Sequence, residues 1–224
     1  MNHSNTIITE EEKLVAELSL LGIRYLSRQS HYQANRVRSP EALLADLVQQ
    51  PSARVRAAVI AVLLSRPGYA EGVHAALERL SSRDCLTLQS FYVAAVLLQQ
   101  EYADRLRPFA GEHWQWLPDL LSEELGLPVE GAPRERLRLL DRELRRRTQT
   151  AVNWMGTYEQ VVQKLLGDWE GKSRWKRSRR TSFPTSSASI LKKSAAGLGK
   201  KTELGLVLSI AGKAGYTALP LVRY

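Results

Sequence analysis

The chain has 224 residues, 44% of them hydrophobic and 25% charged, which is enough to bury one core and is the make-up of an ordinary globular protein rather than a disordered or fibrous one. It carries a formal net charge of +9 and a single cysteine, Cys85, which excludes an intramolecular disulfide and leads us to expect a buried thiol in a reducing compartment. No apolar run is longer than that at 57–64, which is far shorter than the about 20 residues that cross a bilayer, and residues 1–9 lack a basic stretch ahead of an apolar one, so the expectation is a cytoplasmic or, in a nucleated cell, nuclear protein with no membrane contact.

Residues 10–29 read as the first helix. Thr9 caps it, Glu10, Glu11 and Glu12 suit its positive end, and Leu14, Leu18, Leu21 and Tyr25 recur along one face. A polar connection at 30–37 follows. Ser39-Pro40-Glu41 then supplies a cap, a proline at the first helical position and an acid, and Leu43, Leu44, Leu47 and Val48 make the helix amphipathic before Pro51. The stretch 52–67, SARVRAAVIAVLLSRP, is the expected centre of the fold. Val55, Ala58, Val59, Val62 and Leu63 keep helical spacing, and Ala57, Ile60, Ala61 and Leu64 widen the apolar face until only Arg54, Arg56, Ser65 and Arg66 are left for solvent.

Helices are expected next over 69–80 and over 84–102, the second capped by Asp84, with a loop at Pro108 and Gly111. Another helix is expected over 114–125, where Leu117, Leu120, Leu121 and Leu125 share a side and Gly126 and Pro128 stop it. From Pro133, apolar residues from Leu137 to Trp169 keep helical spacing through two helices broken near 153–156, where Gly156 weakens continuity by about 1 kcal/mol. β-Branched alternation bounded by turns does not occur. The expected fold is therefore all-α, an irregular stack of helix pairs, solenoid-like or an orthogonal bundle. Residues 1–170 form the helical domain, and 171–224 a basic, largely irregular tail rich in Ser, Lys and Gly, flexible or ordered on a partner.

Pro51-Ser52-Ala53-Arg54-Val55-Arg56-Ala57-Ala58, followed by an alanine-rich apolar helix, resembles the second half of a HEAT-type helical repeat, with the resemblance extending over about 39–125. It implies paired helices stacked into a curved solenoid, in which small alanines allow close approach. It also implies a scaffold that binds protein or nucleic acid rather than an active site.

Charge is distributed unevenly. Residues 172–224 hold twelve of the 32 basic residues and one of the 23 acidic ones, so a near-neutral body carries a strongly basic end. The densest part is Lys172, Arg174, Lys176, Arg177, Arg179 and Arg180 around Trp175. Six cations in nine residues suit a phosphate backbone, and the indole suits stacking on an unpaired base. Arg145, Arg146 and Arg147 extend this candidate nucleic-acid surface as a triplet without adjacent acids, at the end of an arginine-rich stretch whose earlier part is interleaved with carboxylates. Trp114 and Trp116 cannot share one helix face at i, i+2, so one of them is a candidate anchor for a protein partner.

Reaction chemistry leaves little trace. His74 and Glu78 stand one helical turn apart without a third ligand, and HExxH, paired CxxC, G-x-S-x-G and complete phosphate-loop patterns are all missing. Glu10–Glu12, Glu123–Glu124 and Glu135, Asp141 and Glu143 read as helix-start or solvated acids. No cofactor, metal or catalytic residue is expected. The function expected is a non-enzymatic adaptor holding a protein partner through its body and DNA or RNA through 172–180. Its competitors are a structural subunit of a larger complex with no nucleic-acid role, and an enzyme without recognisable motifs.

Overall fold

The structure, a computed structural model, describes residues 9–27 and 32–181. Among them there are α-helices, 3₁₀ turns and loops but no strand, in keeping with the expected all-α class. The described residues through Arg180 belong to one compact unit. The remainder of the expected tail, 182–224, lies outside the described residues, as does part of the connection after residue 27.

Helix α1 spans Glu10–Leu20 and opens with the capping box its sequence announces, Thr9 and Glu12 exchanging side-chain and backbone hydrogen bonds. It is shorter than expected because Gly22 sits at φ +89°, a conformation costly for residues with a Cβ. The Gly22 amide then donates to the Ser19 carbonyl and the Ile23 amide to that of Leu18, a Schellman stop that tucks Ile23 into the core. Helix α2, Pro40–Val48, starts at its proline as expected, although the Ser39 hydroxyl donates to Glu41 instead of capping a backbone amide.

The central stretch forms two helical pieces, α3 over Ala53–Arg56 and α4 over Ala58–Ser65, joined at Ala57, where the ladder tightens to a bond from the Ile60 amide to the Ala57 carbonyl. Every residue of α4 is buried. Arg66, pushed toward extended geometry by the following proline, ends it at φ −140°, ψ 74°. The helix expected over 69–80 is a 3₁₀ segment, Pro67–Gly72, followed by α5, Val73–Leu77. Gly72 is where this segment meets the start of α2: a Cβ there would lie 2.8 Å from the Glu41 amide nitrogen.

Helix α6, Ser82–Glu101, is the long axis of the core. Its cap is Ser81, whose Oγ accepts from the Asp84 amide, so Asp84 occupies the third helical position and not the cap. Residues 90–99 are all buried, because α4 packs on one side of α6 and α8 on another. The organising role expected of 52–67 alone is thus shared with α6. Full burial of each of its large apolar side chains contributes about 1.5–3 kcal/mol.

Helix α7, Ala103–Ala110, was not expected, since Pro108 reads as a breaker. It is tolerated because a helix of eight residues loses only one internal bond there and turns Leu106 and Ala110 inward. The helix expected over 114–125 does not form. The chain runs without helix from Trp114 to Leu120, then makes one turn in which the Leu127 amide donates to the Ser122 carbonyl and the Gly126 amide to that of Glu123.

Helix α8 spans Pro133–Thr148 and α9 spans Trp154–Thr181. The expected break is present but falls at 149–153, and Gly156 lies inside α9. Gln149 closes α8 in the left-handed region, φ +50°, ψ 37°, the place where glycine is favoured. Gln149→Gly is expected to raise the melting temperature by about 1–4 °C, for about 0.5–1 kcal/mol of relieved strain. An unchanged or lower melting point would contradict this.

Candidate nucleic-acid and partner interfaces

The basic run does not begin an irregular segment at residue 171. The α9 backbone continues through Gly167 and Gly171 to Thr181, because contacts outside the helix hold it on both sides of these glycines. At its start, Asp141 Oδ1 accepts from the Trp154 and Met155 amides at 2.8 and 3.3 Å, and Asn153 Oδ1 from the Gly156 amide at 2.9 Å. Along its length, Tyr158 meets Phe91 of α6 edge-on at 5.8 Å and Trp169 meets Phe109 of α7 at 5.7 Å. Arg105 of α7 lies 3.4 Å from Glu170. Near its end, the Lys172 ammonium donates to Asp168 at 2.8 Å and to the Gly22 carbonyl at 3.0 Å, and the Arg24 amide also reaches Asp168. Lys172 is therefore engaged with the protein itself as well as belonging to the basic run.

At about 100° per residue, the helix gathers Lys172, Lys176, Arg179 and Arg180 into an arc of about 100°. Trp175 stands at the edge of that arc, one turn before Arg179, and Arg174 and Arg177 fall on the other side. Residues 171–181 contain no acid.

Arg145, Arg146 and Arg147 are placed differently from the reading of an unbalanced triplet. Arg145 Nε lies 3.0 Å from Asp141 Oδ2. Arg146 forks onto both oxygens of Glu143, and Arg147 Nε lies 2.6 Å from Glu143 Oε1. Hydrogen bonds from Arg146 and Arg147 hold the Glu143 carboxyl down to about 2. The sequence shows no acid beside the triplet because the acids sit three and four residues earlier, which is one turn on a helix. The three also complement the negative end of α8. Two carboxylates against three guanidiniums leave one surplus charge here.

Trp116 is 58% exposed, whereas Trp114 packs half-buried against the core, their rings 5.3 Å apart. Side chains of α6 hold their segment. Gln99 donates through Nε2 to the Gln115 carbonyl at 2.9 Å and accepts the Leu117 amide at 2.7 Å, and the Tyr92 hydroxyl donates to the Pro118 carbonyl. Satisfied in this way, the 115–118 backbone needs no helix of its own. Neither buried polar side chain is flagged by periodicity, since Gln99 and Tyr92 read as ordinary positions of an amphipathic helix.

Two charged clusters were also not foreseen. Arg38 reaches Glu10, Glu17 and Asp46, with Glu17 at 2.7 Å. Arg136 Nη2 reaches Asp119 at 2.6 Å and Ser122 Oγ at 2.9 Å. Cys85 is half-buried rather than buried, its thiol donating to the Leu77 carbonyl. Among the described residues no group of three His, Cys, Asp or Glu is placed to hold a metal, and no helix is long and apolar enough to cross a membrane. No family model matches the chain, and neither a curated protein nor a solved structure matches it.

Proposed function

We propose that the chain is a non-enzymatic helical adaptor that holds the phosphate backbone of a nucleic acid along the end of α9 and a protein partner on its body, with the exposed Trp116 as anchor. One observation carries the reading: the acid-free basic run continues a helix whose earlier turns are packed in the core. With the backbone at these positions already helical, less conformational entropy is lost when phosphates bind than with an untethered tail. Phosphate contacts of this kind position the protein without reading sequence. Trp175, at the edge of the stripe, favours an unpaired strand on which it can stack. The body is taken as an irregular stack of helix pairs of the HEAT-like kind, in the cytoplasm or nucleus, a scaffold for binding.

The test is the affinity of the full chain for a fluorescent oligonucleotide, single- or double-stranded, across a salt series. With Lys172 engaged by Asp168, three cations of the stripe remain, and the slope of log affinity against log salt is expected at about −2 to −3. The variant Lys176→Ala/Arg179→Ala/Arg180→Ala is expected to flatten it by about 2–3. Unchanged affinity and slope in that variant would remove α9 as the interface. Failure of the intact chain to bind at about 150 mM salt would favour a purely structural subunit.

A further inference from the structure

A second site, distinct from the basic stripe, lies at the other end of α9. The turn between α2 and α3, the first turn of α6, the end of α8 and the first turns of α9 enclose a cleft of about 750 Å³, the size that takes a drug- or nucleotide-sized molecule. Its floor is Leu144, Phe91 and Tyr158, all buried, with half-buried Trp154 beside them. The Tyr158 hydroxyl and the Trp154 indole nitrogen are fully enclosed, so these two rings turn only carbon toward the cleft. The floor is thus apolar and largely aromatic, with Phe91 and Tyr158 edge to face.

The rim is cationic. Arg56, Arg83 and Arg147 line it from three different helices. Arg56 is pinned through Nη1 by the Gln50 and Pro51 carbonyls at 2.7 and 2.8 Å. Neutral acceptors fix its position but leave its charge, and its Nε and Nη2 have no acceptor among the described residues. The Arg83 guanidinium forms no ion pair or hydrogen bond among the described residues, although the Arg83 carbonyl accepts from the Thr87 hydroxyl. Arg147 shares Glu143 with Arg146, so that corner keeps one surplus positive charge. The lining contains one carboxylate, Asp84, which accepts from the Ser81 hydroxyl.

We propose that this cleft binds a small organic anion with an apolar body, a carboxylate, sulfonate or phosphate carried on an aromatic group. A bare inorganic anion leaves the apolar floor uncovered, and a neutral aromatic leaves the guanidiniums without a partner. Arginine suits the charged end because its planar fork meets such oxygens with two parallel bonds, and Arg56 is already oriented. About 27 Å of helix separates Trp154 from Lys172, so occupancy here does not depend on the nucleic-acid reading.

The probe is 8-anilinonaphthalene-1-sulfonate, titrated by fluorescence into the full chain, with the uncharged N-phenyl-1-naphthylamine as its neutral counterpart. One saturable site per chain is expected, preferring the sulfonate. Arg83→Glu, at a side chain without an ion pair or hydrogen bond among the described residues, is expected to weaken it about tenfold. Thr157→Trp, which fills the cleft from the exposed side of α9, is expected to abolish it. The variant Lys176→Ala/Arg179→Ala/Arg180→Ala is expected to bind the probe as the parent does. Parent-like binding by both cleft variants, loss of binding in the stripe variant, equal affinity for the neutral probe, or non-saturating fluorescence would each overturn the proposal.

Discussion

Asp119→Ala is expected to cost about 3–5 kcal/mol of folding stability, a large share of the about 5–15 kcal/mol that holds a typical domain together. The Arg136 side chain is only 4% exposed, and its Nη2 pairs with Asp119 at 2.6 Å while also donating to Ser122 Oγ. Its Nε is enclosed with no acceptor, so the guanidinium depends on this one carboxylate for charge compensation. Asp119 also accepts the Ser122 amide, which ties the turn after the Trp116 segment to α8. Removing the acid strands a buried cation. Removing the cation is milder, because Asp119 is 18% exposed and remains hydrated. Urea unfolding followed by circular dichroism should therefore rank Asp119→Ala well below Arg136→Met. The double variant Asp119→Leu/Arg136→Met should recover most of the loss, since a buried pair is weakly stabilising against apolar residues of similar size. A loss under about 1 kcal/mol for Asp119→Ala would contradict the assignment of this pair as a structural tie.

Gln99→Leu is the second large effect. The side chain serves both the Gln115 carbonyl and the Leu117 amide, and Gln99 and Leu117 are both buried. Leucine has similar volume and keeps the packing, but it leaves one backbone donor and one acceptor without partners. At about 1–3 kcal/mol for each such group, the expected cost is about 2–5 kcal/mol. The effect should also be local. Of the three hydrogen bonds that tie the Trp116 segment to α6 among the described residues, two are lost and the Tyr92 bond to Pro118 remains, so protease cleavage within 114–120 should accelerate more than global unfolding predicts. Wild-type stability together with undiminished protection of that segment would show that Gln99 does not hold it.

Local signals were readable wherever they act within a single turn of chain. Thr9 with Glu12, Ser39-Pro40 and Pro133 all mark helix starts that the structure contains. Gly22 carries a stop signal of the same kind, yet the apolar spacing through Tyr25 runs past it, and the structure follows the glycine. The opposite occurred at Pro108, where a breaker sits within a short helix. The break before α9 was legible as a break but displaced, because the residue that ends α8 is Gln149, which has no glycine to announce it.

By itself the sequence determined the all-α class, the amphipathic faces, the burial of 58–64 and the concentration of positive charge after residue 171, whereas Ser65, expected at the surface, is buried. These follow from residue type and spacing along one segment, and each helix carries its own share of that information. Only the tertiary structure decided that α6 shares the centre, that 114–120 is not helical, and that the basic run begins as a helix. Those outcomes rest on pairs far apart in sequence: Gln99 with Leu117, Arg136 with Asp119, Lys172 with Gly22. A hydrogen bond or ion pair of that kind forms only after the elements meet, and it then overrides the local preference of the weaker partner. The triplet Arg145–Arg147 shows the same rule at shorter range, since helical geometry brought Asp141 and Glu143 against side chains that stand apart from them in the linear order.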